Sequence, residues 1–292
     1  MNRRHFIKTG LIWAPVWFCT RGIGGSVSLS ALDPEVYSWM GRVRTNGGNY
    51  TSLSVVANDT FLKMSKSAGA RPMLSRVNTY TGLDLLACLT PLINTVGSTA
   101  ETNTGFVSGD YSESTGLNGG GTKNIDTGAA PTAFMPSAND GHLAVYNRTN
   151  LIDTKVVIGS FNGGTQCDWM VVGNTGNLTS CSVHDAGGGA LNYTGDTDPR
   201  GFYMIARVAS NDCQLYKNGA SVVSYAGALV GTRATPNIMV HCYNDVGLGS
   251  QLKTTKILAG YSLGSGVGFT AAVCAGYYAA WQRLQTILGR QV

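Results

Sequence analysis

Glutamate is almost missing from this chain: Glu35, Glu101 and Glu113 are the only three in 292 residues. Charged residues of all kinds make up 13%, whereas glycine alone supplies 39 positions. Long solvent-facing helices need Glu and Lys in quantity, so this composition argues against a helical protein and for short strands joined by many turns. The scarcity also limits chemistry. Hydrolysis of a glycosidic bond with retention needs two carboxyl groups about 5 Å apart, and no strand-like segment carries a pair of Glu. Basic surface is scarce as well. The formal charge is +5, but Arg3, Arg4, Lys8 and Arg21 lie at the start, and the remainder sets 17 basic side chains against 16 acidic ones. Nucleic acid is gripped by a basic stripe, so that partner is excluded. The four histidines, His5, His142, His184 and His241, show no His-x-x-x-His spacing, and no Cys-x-x-Cys occurs. Neither a zinc centre nor a serine-hydrolase site is expected, and the chain reads as non-enzymatic.

No apolar run reaches the roughly 20 residues that span a bilayer. The longest near the start, Leu11 to Phe18, is interrupted by Pro15. It follows Arg3-Arg4-His5-Phe6-Ile7-Lys8, which resembles a twin-arginine export signal, and small residues at Ser28-Leu29-Ser30 suit cleavage. Residues 1–30 are therefore expected to be an address, giving an exported protein with no transmembrane segment in its mature chain.

What the chain does have is turn chemistry and alternation. Gly201 to Ser224 reads as three strands joined at Ala209-Ser210-Asn211-Asp212 and at Lys217-Asn218-Gly219. Asn-Gly suits a two-residue turn with positive φ at both central positions. Further strands are expected over His142–Asn147, Lys155–Phe161, Trp169–Gly173, Ser180–His184, Asn237–Tyr243 and Lys256–Leu263. Turn signals roughly every ten residues are the pattern of a β-sandwich. Helices bracket them. Asp33-Pro34-Glu35 starts one, a second begins near Ser52, and an apolar stripe from Val273 through Tyr277, Trp281 and Leu284 to Leu288 marks a third. The expected fold is all-β: a two-sheet antiparallel jelly-roll sandwich over residues 100–292, preceded by a helical N-terminal cap over 31–99 and closed by a C-terminal amphipathic helix.

Register divides the strands by face. Leu143 and Val145; Phe202, Met204 and Ala206; and Ile238, Val240 and Cys242 form the apolar sets expected in the core. The opposite sets carry His142 and Tyr146, Tyr203 and Arg207, His241 and Tyr243. On one sheet these would display aromatic rings beside hydrogen-bonding groups, which is how sugars are held. Asp196-Thr197-Asp198 offers two carboxylates to a calcium ion, and the same residues are also ordinary turn formers. Six cysteines follow Cys19. Cys167 and Cys181 flank an expected hairpin and are the first candidates for a disulfide, with buried thiols the alternative.

Three segments resemble the concanavalin A-like lectin/glucanase superfamily in its laminin G-like form: Ile125-Asp126-Thr127-Gly128, the His142–Asn147 strand, and Gly201–Val223 with Tyr216-Lys217-Asn218-Gly219. The Asp-Pro helix start, the run from Thr102 to Tyr111 and the ending Leu288-Gly289-Arg290-Gln291-Val292 are similar to those of a group of bacterial and phage proteins of this fold. The resemblance implies a two-sheet jelly roll. It also implies an adhesive or carbohydrate-binding module, whose partner is a glycan or cell-surface polysaccharide, or alternatively a virion tail component. Glycosidases of the superfamily place two Glu on one strand, which this chain does not, so a glycoside hydrolase is the remote reading. Apart from a calcium ion on Asp196 and Asp198, no cofactor is expected.

Overall fold

Two sheets dominate the computed structural model, which describes residues 32–163, 166–185, 191–227 and 231–292. The export-signal reading of residues 1–30 lies outside them. The first sheet runs, in spatial order, β14 (Ala220–Tyr225), β13 (Asp212–Lys217), β12 (Gly201–Ala209), β7 (Gly141–Asn147), β18 (Ile257–Gly264), β1 (Leu74–Asn78) and β2 (Ile93–Asn94). Two short strands, β4 (Tyr111–Ser112) and β5 (Gly116–Asn118), attach beside β18. The second runs β11 (Leu191–Thr194), β10 (Leu178–Asp185), β9 (Cys167–Asn174), β8 (Ile158–Phe161), β15 (Met239–Val240), β6 (Asn124–Asp126) and β3 (Thr102–Thr104). Its side branch is the hairpin β16 (Tyr243–Asp245) and β17 (Gly249–Gln251), with β16 lying parallel to β8. Among the described residues the other strand pairs are antiparallel, and the fold is a two-sheet antiparallel β-sandwich.

The expected hairpins form where the turn residues demand. Asn218 and Gly219 have φ of +50° and +78°, the pair of positive values a type I′ turn requires, and Lys217 faces Ala220 across it. Between the sheets, Leu143, Val145, Tyr203, Ile205 and Leu215 meet Ile158, Met170, Val172, Cys181 and Val183 in one core.

Helices α1 (Pro34–Thr45) and α2 (Ser52–Ser67) begin at side-chain caps. The Asp33 carboxylate accepts from the Glu35 N–H at 3.0 Å, and Thr51 and Ser54 cap each other's backbone. Two single turns, α3 (Leu85–Cys88) and α4 (Pro131–Phe134), lie in the connections. The last helix, α5 (Ala271–Ile287), is capped by Thr270 and covers the outer face of the first sheet. Phe202 on β12 lies 5.6 Å from the Tyr277 ring and 5.8 Å from Trp281, and Phe61 of α2 closes on Trp281 at 5.0 Å. Burial of an aromatic ring on this scale stabilises by about 3 kcal/mol.

Residues 31–99 are therefore more than a helical cap. They supply β1 and β2 to the first sheet, β1 pairing with β18 along Leu74–Asn78, and Asp33–Val292 form one compact unit. β1 lacks a clean apolar alternation, since Leu74-Ser75-Arg76-Val77-Asn78 places an arginine in its interior. That arginine is buried, its Nε donating to the Tyr261 hydroxyl at 2.9 Å and its Nη1 to Asn94 Oδ1 at 2.6 Å.

Candidate functional site

The outer face of the second sheet carries an apolar hollow. Its volume is about 210 Å³, and Val156, Phe161, Trp169, Val171, Tyr243 and Leu252 line it. Three elements position the rings. On β9, Met170 and Val172 enter the core, so Trp169 and Val171 project outward. On β8, Gly159 stands opposite Trp169 in the ladder. A Cβ there would lie 2.7 Å from Trp169 Cβ, so a side chain at 159 would displace the indole. The third ring arrives through a chain reversal. β15 runs antiparallel to β8, and after His241 and Cys242 the chain returns as β16 parallel to the same strand. His241 makes that reversal at φ +67°, and it delivers Tyr243 edge-on to Phe161, ring centroids 5.8 Å apart at 74°. All three rings are half-buried, so their faces are partly open.

Beside the hollow lies a polar groove of about 470 Å³, lined by Asp153, Lys155, Gln251 and Lys253 among others and sharing Leu252 with the hollow. Leu252 sits at φ +50° and is 43% exposed. A branched side chain in left-handed backbone is costly, and it is spent where the two depressions join. Asp153 in the groove's lining accepts from Thr254 Oγ1 at 3.0 Å and is ion-paired with the buried ammonium of Lys256.

The glycan face expected on the strands at 142–147, 202–208 and 237–243 does not form. In the β7–β12 ladder Phe202 faces Tyr146 and Ala206 faces His142, while Tyr203 faces Val145 and Arg207 faces Gly141. Directly opposed residues share a side, so His142 and Tyr146 lie with Phe202 beneath α5, and Tyr203 and Arg207 point between the sheets. His142, Tyr146, Tyr203, Arg207 and His241 are all fully buried. Each has internal work. Tyr146 donates to Gln282 Oε1 at 2.8 Å, Tyr203 to Asp196 Oδ2 at 2.8 Å, and Arg207 to the His184 carbonyl at 2.6 Å. His241 packs on Phe106 at 5.3 Å and belongs to the second sheet's reversal. Of the expected set, only Tyr243 reaches the candidate site.

The calcium pair is also committed elsewhere. Asp196 is fully buried and takes the Lys217 ammonium at 2.5 Å plus the hydroxyls of Thr179 and Tyr203, while Asp198 pairs with Arg200 at 2.7 Å. With those cations in place the two carboxylates are spent on the fold. Among the described residues no group of three or more His, Cys, Asp or Glu is arranged to hold a metal ion. Cys167 and Cys181 are not ladder partners: Cys167 faces Asp185, and Cys181 faces Met170 and Leu191. The two are separated along the ladder and not joined. Burial pushes the Cys181 thiol well above its usual range.

One arrangement the sequence reading missed is a Gly-x-Ser-x-Gly run, Gly260 to Gly264. Its Ser262 Oγ lies 3.2 Å from His142 Nε2, and His142 Nδ1 bonds the Ser265 carbonyl at 2.8 Å. A nucleophile of this motif sits on an exposed strand-to-helix turn with a carboxylate behind its histidine. Here Ser262 is buried in the middle of β18 and the group behind His142 is a carbonyl, so the motif is packing.

No protein-family model matches the chain, and no curated protein matches it in sequence. Among solved structures it is similar to the carbohydrate-binding module of the Ruminococcus gnavus IT-sialidase, described bound to α2,6 sialyllactose. That match has a TM-score of 0.41 and 13% identity, over 53% of this chain and 92% of that one. It is also similar to domain 4 of an extracellular arabinanase from Geobacillus stearothermophilus, described in complex with arabinotriose, with a TM-score of 0.36 and 13% identity over 63% and 82%. The NanB sialidase of Streptococcus pneumoniae matches with a TM-score of 0.36 and 8% identity, over 43% of this chain and only 22% of the sialidase. Likenesses of this size assign neither a ligand nor an activity to the chain.

Proposed function

We propose that this chain is an exported, non-enzymatic carbohydrate-binding module that holds a sugar ring on the outer face of its second sheet. The observation that carries this reading is the set of half-buried rings of Phe161, Trp169 and Tyr243 around an apolar hollow, opening onto a hydrogen-bonding groove. Sugars match such a surface, since their C–H faces stack on aromatic rings while hydroxyls meet polar side chains. At about 210 Å³ the hollow is smaller than the ~300–1,000 Å³ of pockets that enclose drug-sized ligands. It suits one ring, with neighbouring residues of the glycan along the groove. The twin-arginine-like leader supports delivery outside the cytoplasm, where such a ligand is met.

The places taken by the glutamates and by Asp153 support the non-enzymatic reading. Glu35 pairs with Arg71, Glu101 is buried against Arg76 and Tyr261, and Glu113 accepts from Thr51. Asp153 is neutralised by Lys256. Among the described residues no two carboxyl groups meet across the groove's lining. The test is a glycan array followed by calorimetry with wild type and Trp169→Ala, with thermal unfolding as a check on folding. Binding to at least one glycan, weakened about tenfold or more by removal of a stacking ring, is the expected result. A wild type that binds no glycan, or a folded Trp169→Ala protein that binds unchanged, would overturn the reading.

A further inference from the structure

Charge around the groove is unbalanced in a way that narrows the ligand. Lys155 and Lys253 both line it. The Val156 N–H donates to the Leu252 carbonyl at 3.0 Å and Val156 bridges Lys253, so the two lysines sit on adjoining backbones at the mouth of the aromatic hollow. Among the described residues the only carboxylate in the lining is Asp153, whose charge is cancelled from beneath by the fully buried ammonium of Lys256 and whose second oxygen accepts from Thr254. Lys253 spends one donor on the Thr122 carbonyl at 3.1 Å, and Lys155 forms no ion pair among the described residues. Two positive charges are thus left facing the groove of an otherwise near-neutral body.

Resting on the carbohydrate-binding reading above, we infer that the ligand is an anionic glycan: one sugar ring stacks on Trp169, and a carboxylate or sulfate on the adjoining residue is held by Lys155 and Lys253. An ammonium is a compact point charge that pairs with either anion, and charge-assisted hydrogen bonds are about twice as strong as neutral ones. A neutral sugar would leave both lysines without a counter-charge. It would gain only the aromatic contact.

The test compares three oligosaccharide series of equal length by calorimetry: galacturonate oligomers, chondroitin sulfate oligomers and neutral galactose oligomers. The proteins are wild type, Trp169→Ala and the Lys155→Gln/Lys253→Gln double variant, each confirmed folded by its unfolding midpoint. Wild type should bind one anionic series about tenfold more tightly than the neutral one. The double Gln variant should level the two, and raising salt from about 0.05 to about 0.5 M should weaken the anionic series alone. Which anionic series responds distinguishes carboxylate from sulfate. Equal affinity for neutral and anionic series, indifferent to the lysine changes but lost in Trp169→Ala, would overturn the charge preference and leave sugar binding standing. Anion binding lost in the lysine variant but untouched by Trp169→Ala would overturn both, since no ring would then be held on the aromatic surface.

Discussion

Acid should loosen this fold through two histidines. His142 and His241 are fully buried, and burial holds their imidazoles down at pKa values of about 4 and about 3, against an ordinary 6.5. In the unfolded chain both titrate near 6.5. As pH falls below that value the unfolded state takes up protons that the folded state cannot, so stability present above pH 7 is lost. The loss grows by about 1.4 kcal/mol per pH unit for each ring until the folded pKa is reached. At pH 5 it comes to about 2 kcal/mol each, about 4 kcal/mol together, a large share of the ~5–15 kcal/mol that holds a domain folded. Burial raises the carboxyls of Glu101 and Glu113, which favours the folded state at low pH. Glu35 and Asp110 act the other way: burial pushes them up, but their bonds and charge pairs with Arg71 and Lys123 outweigh it and leave both lowered. Because the two raised carboxyls work against the histidines as pH falls, the contribution of one ring is read from the difference between wild type and a histidine variant. The assay is urea unfolding at half-unit steps from pH 5 to 7.5, for wild type and His241→Asn. Asparagine tolerates the left-handed backbone at 241 and removes one titrating ring, so the slope of stability against pH should fall by about 1.4 kcal/mol per pH unit below pH 6.5 even if overall stability drops. Neither nitrogen of His241 has a hydrogen-bond partner among the described residues. An unchanged slope, or a His241 resonance titrating near 6.5 in the folded protein, would refute the reasoning.

Two further outcomes concern the C-terminal closure. Arg290 is fully buried, with Nη1 donating to the Tyr80 carbonyl at 2.8 Å, Nη2 to Thr79 at 2.5 Å and to Ala259 at 3.1 Å, and Nε to Gln285 Oε1 at 2.6 Å. Arg290→Met keeps the volume but strands those acceptors, and should cost about 3–5 kcal/mol in chemical unfolding; a loss under about 1 kcal/mol would show that water replaces the guanidinium. Trp281→Ala empties the space between Phe61 and Phe202, and should cost about 3–5 kcal/mol while glycan affinity, measured below the lowered unfolding midpoint, stays at the wild-type value.

Local patterns carried the elements into the sequence more faithfully than their faces. Asp33, Thr51 and Thr270 cap the helices as such residues do, and Asn218-Gly219 turns the chain where two positive φ values are needed. Alternation in β12, by contrast, states that two faces exist without saying which one meets the other sheet. Both are buried: Tyr203 and Ile205 against the second sheet, Phe202 against Tyr277 and Trp281. The decision rests on α5, some 70 residues further along, and no local pattern in Gly201–Ala209 encodes it. Tyr203 adds to the ambiguity because its polar tip is satisfied inside the core by Asp196, so its hydroxyl is no sign of exposure.

The same covering decides where a ligand can sit. With α5 and α2 packed over the first sheet, its outward aromatic residues become core, and a binding face has to be sought on the second. There the decisive signals were present in sequence but silent. Gly159 reads as one more turn-former until the β8–β9 register sets it opposite Trp169. His241 reads as a strand residue until its left-handed backbone reverses the chain and sends Tyr243 to Phe161. Tyr243 entered both the sequence-based face and the structural one, for different reasons. Alternation placed it outward on a continuous strand from Asn237, whereas the chain actually breaks at His241 and Tyr243 faces outward from a second strand of opposite direction. A platform assembled from β8, β9 and a reversed β16 is therefore a property of register. Insertion of one residue between Cys242 and Tyr243 should remove it, read by calorimetry as lost glycan binding in a protein that still unfolds cooperatively.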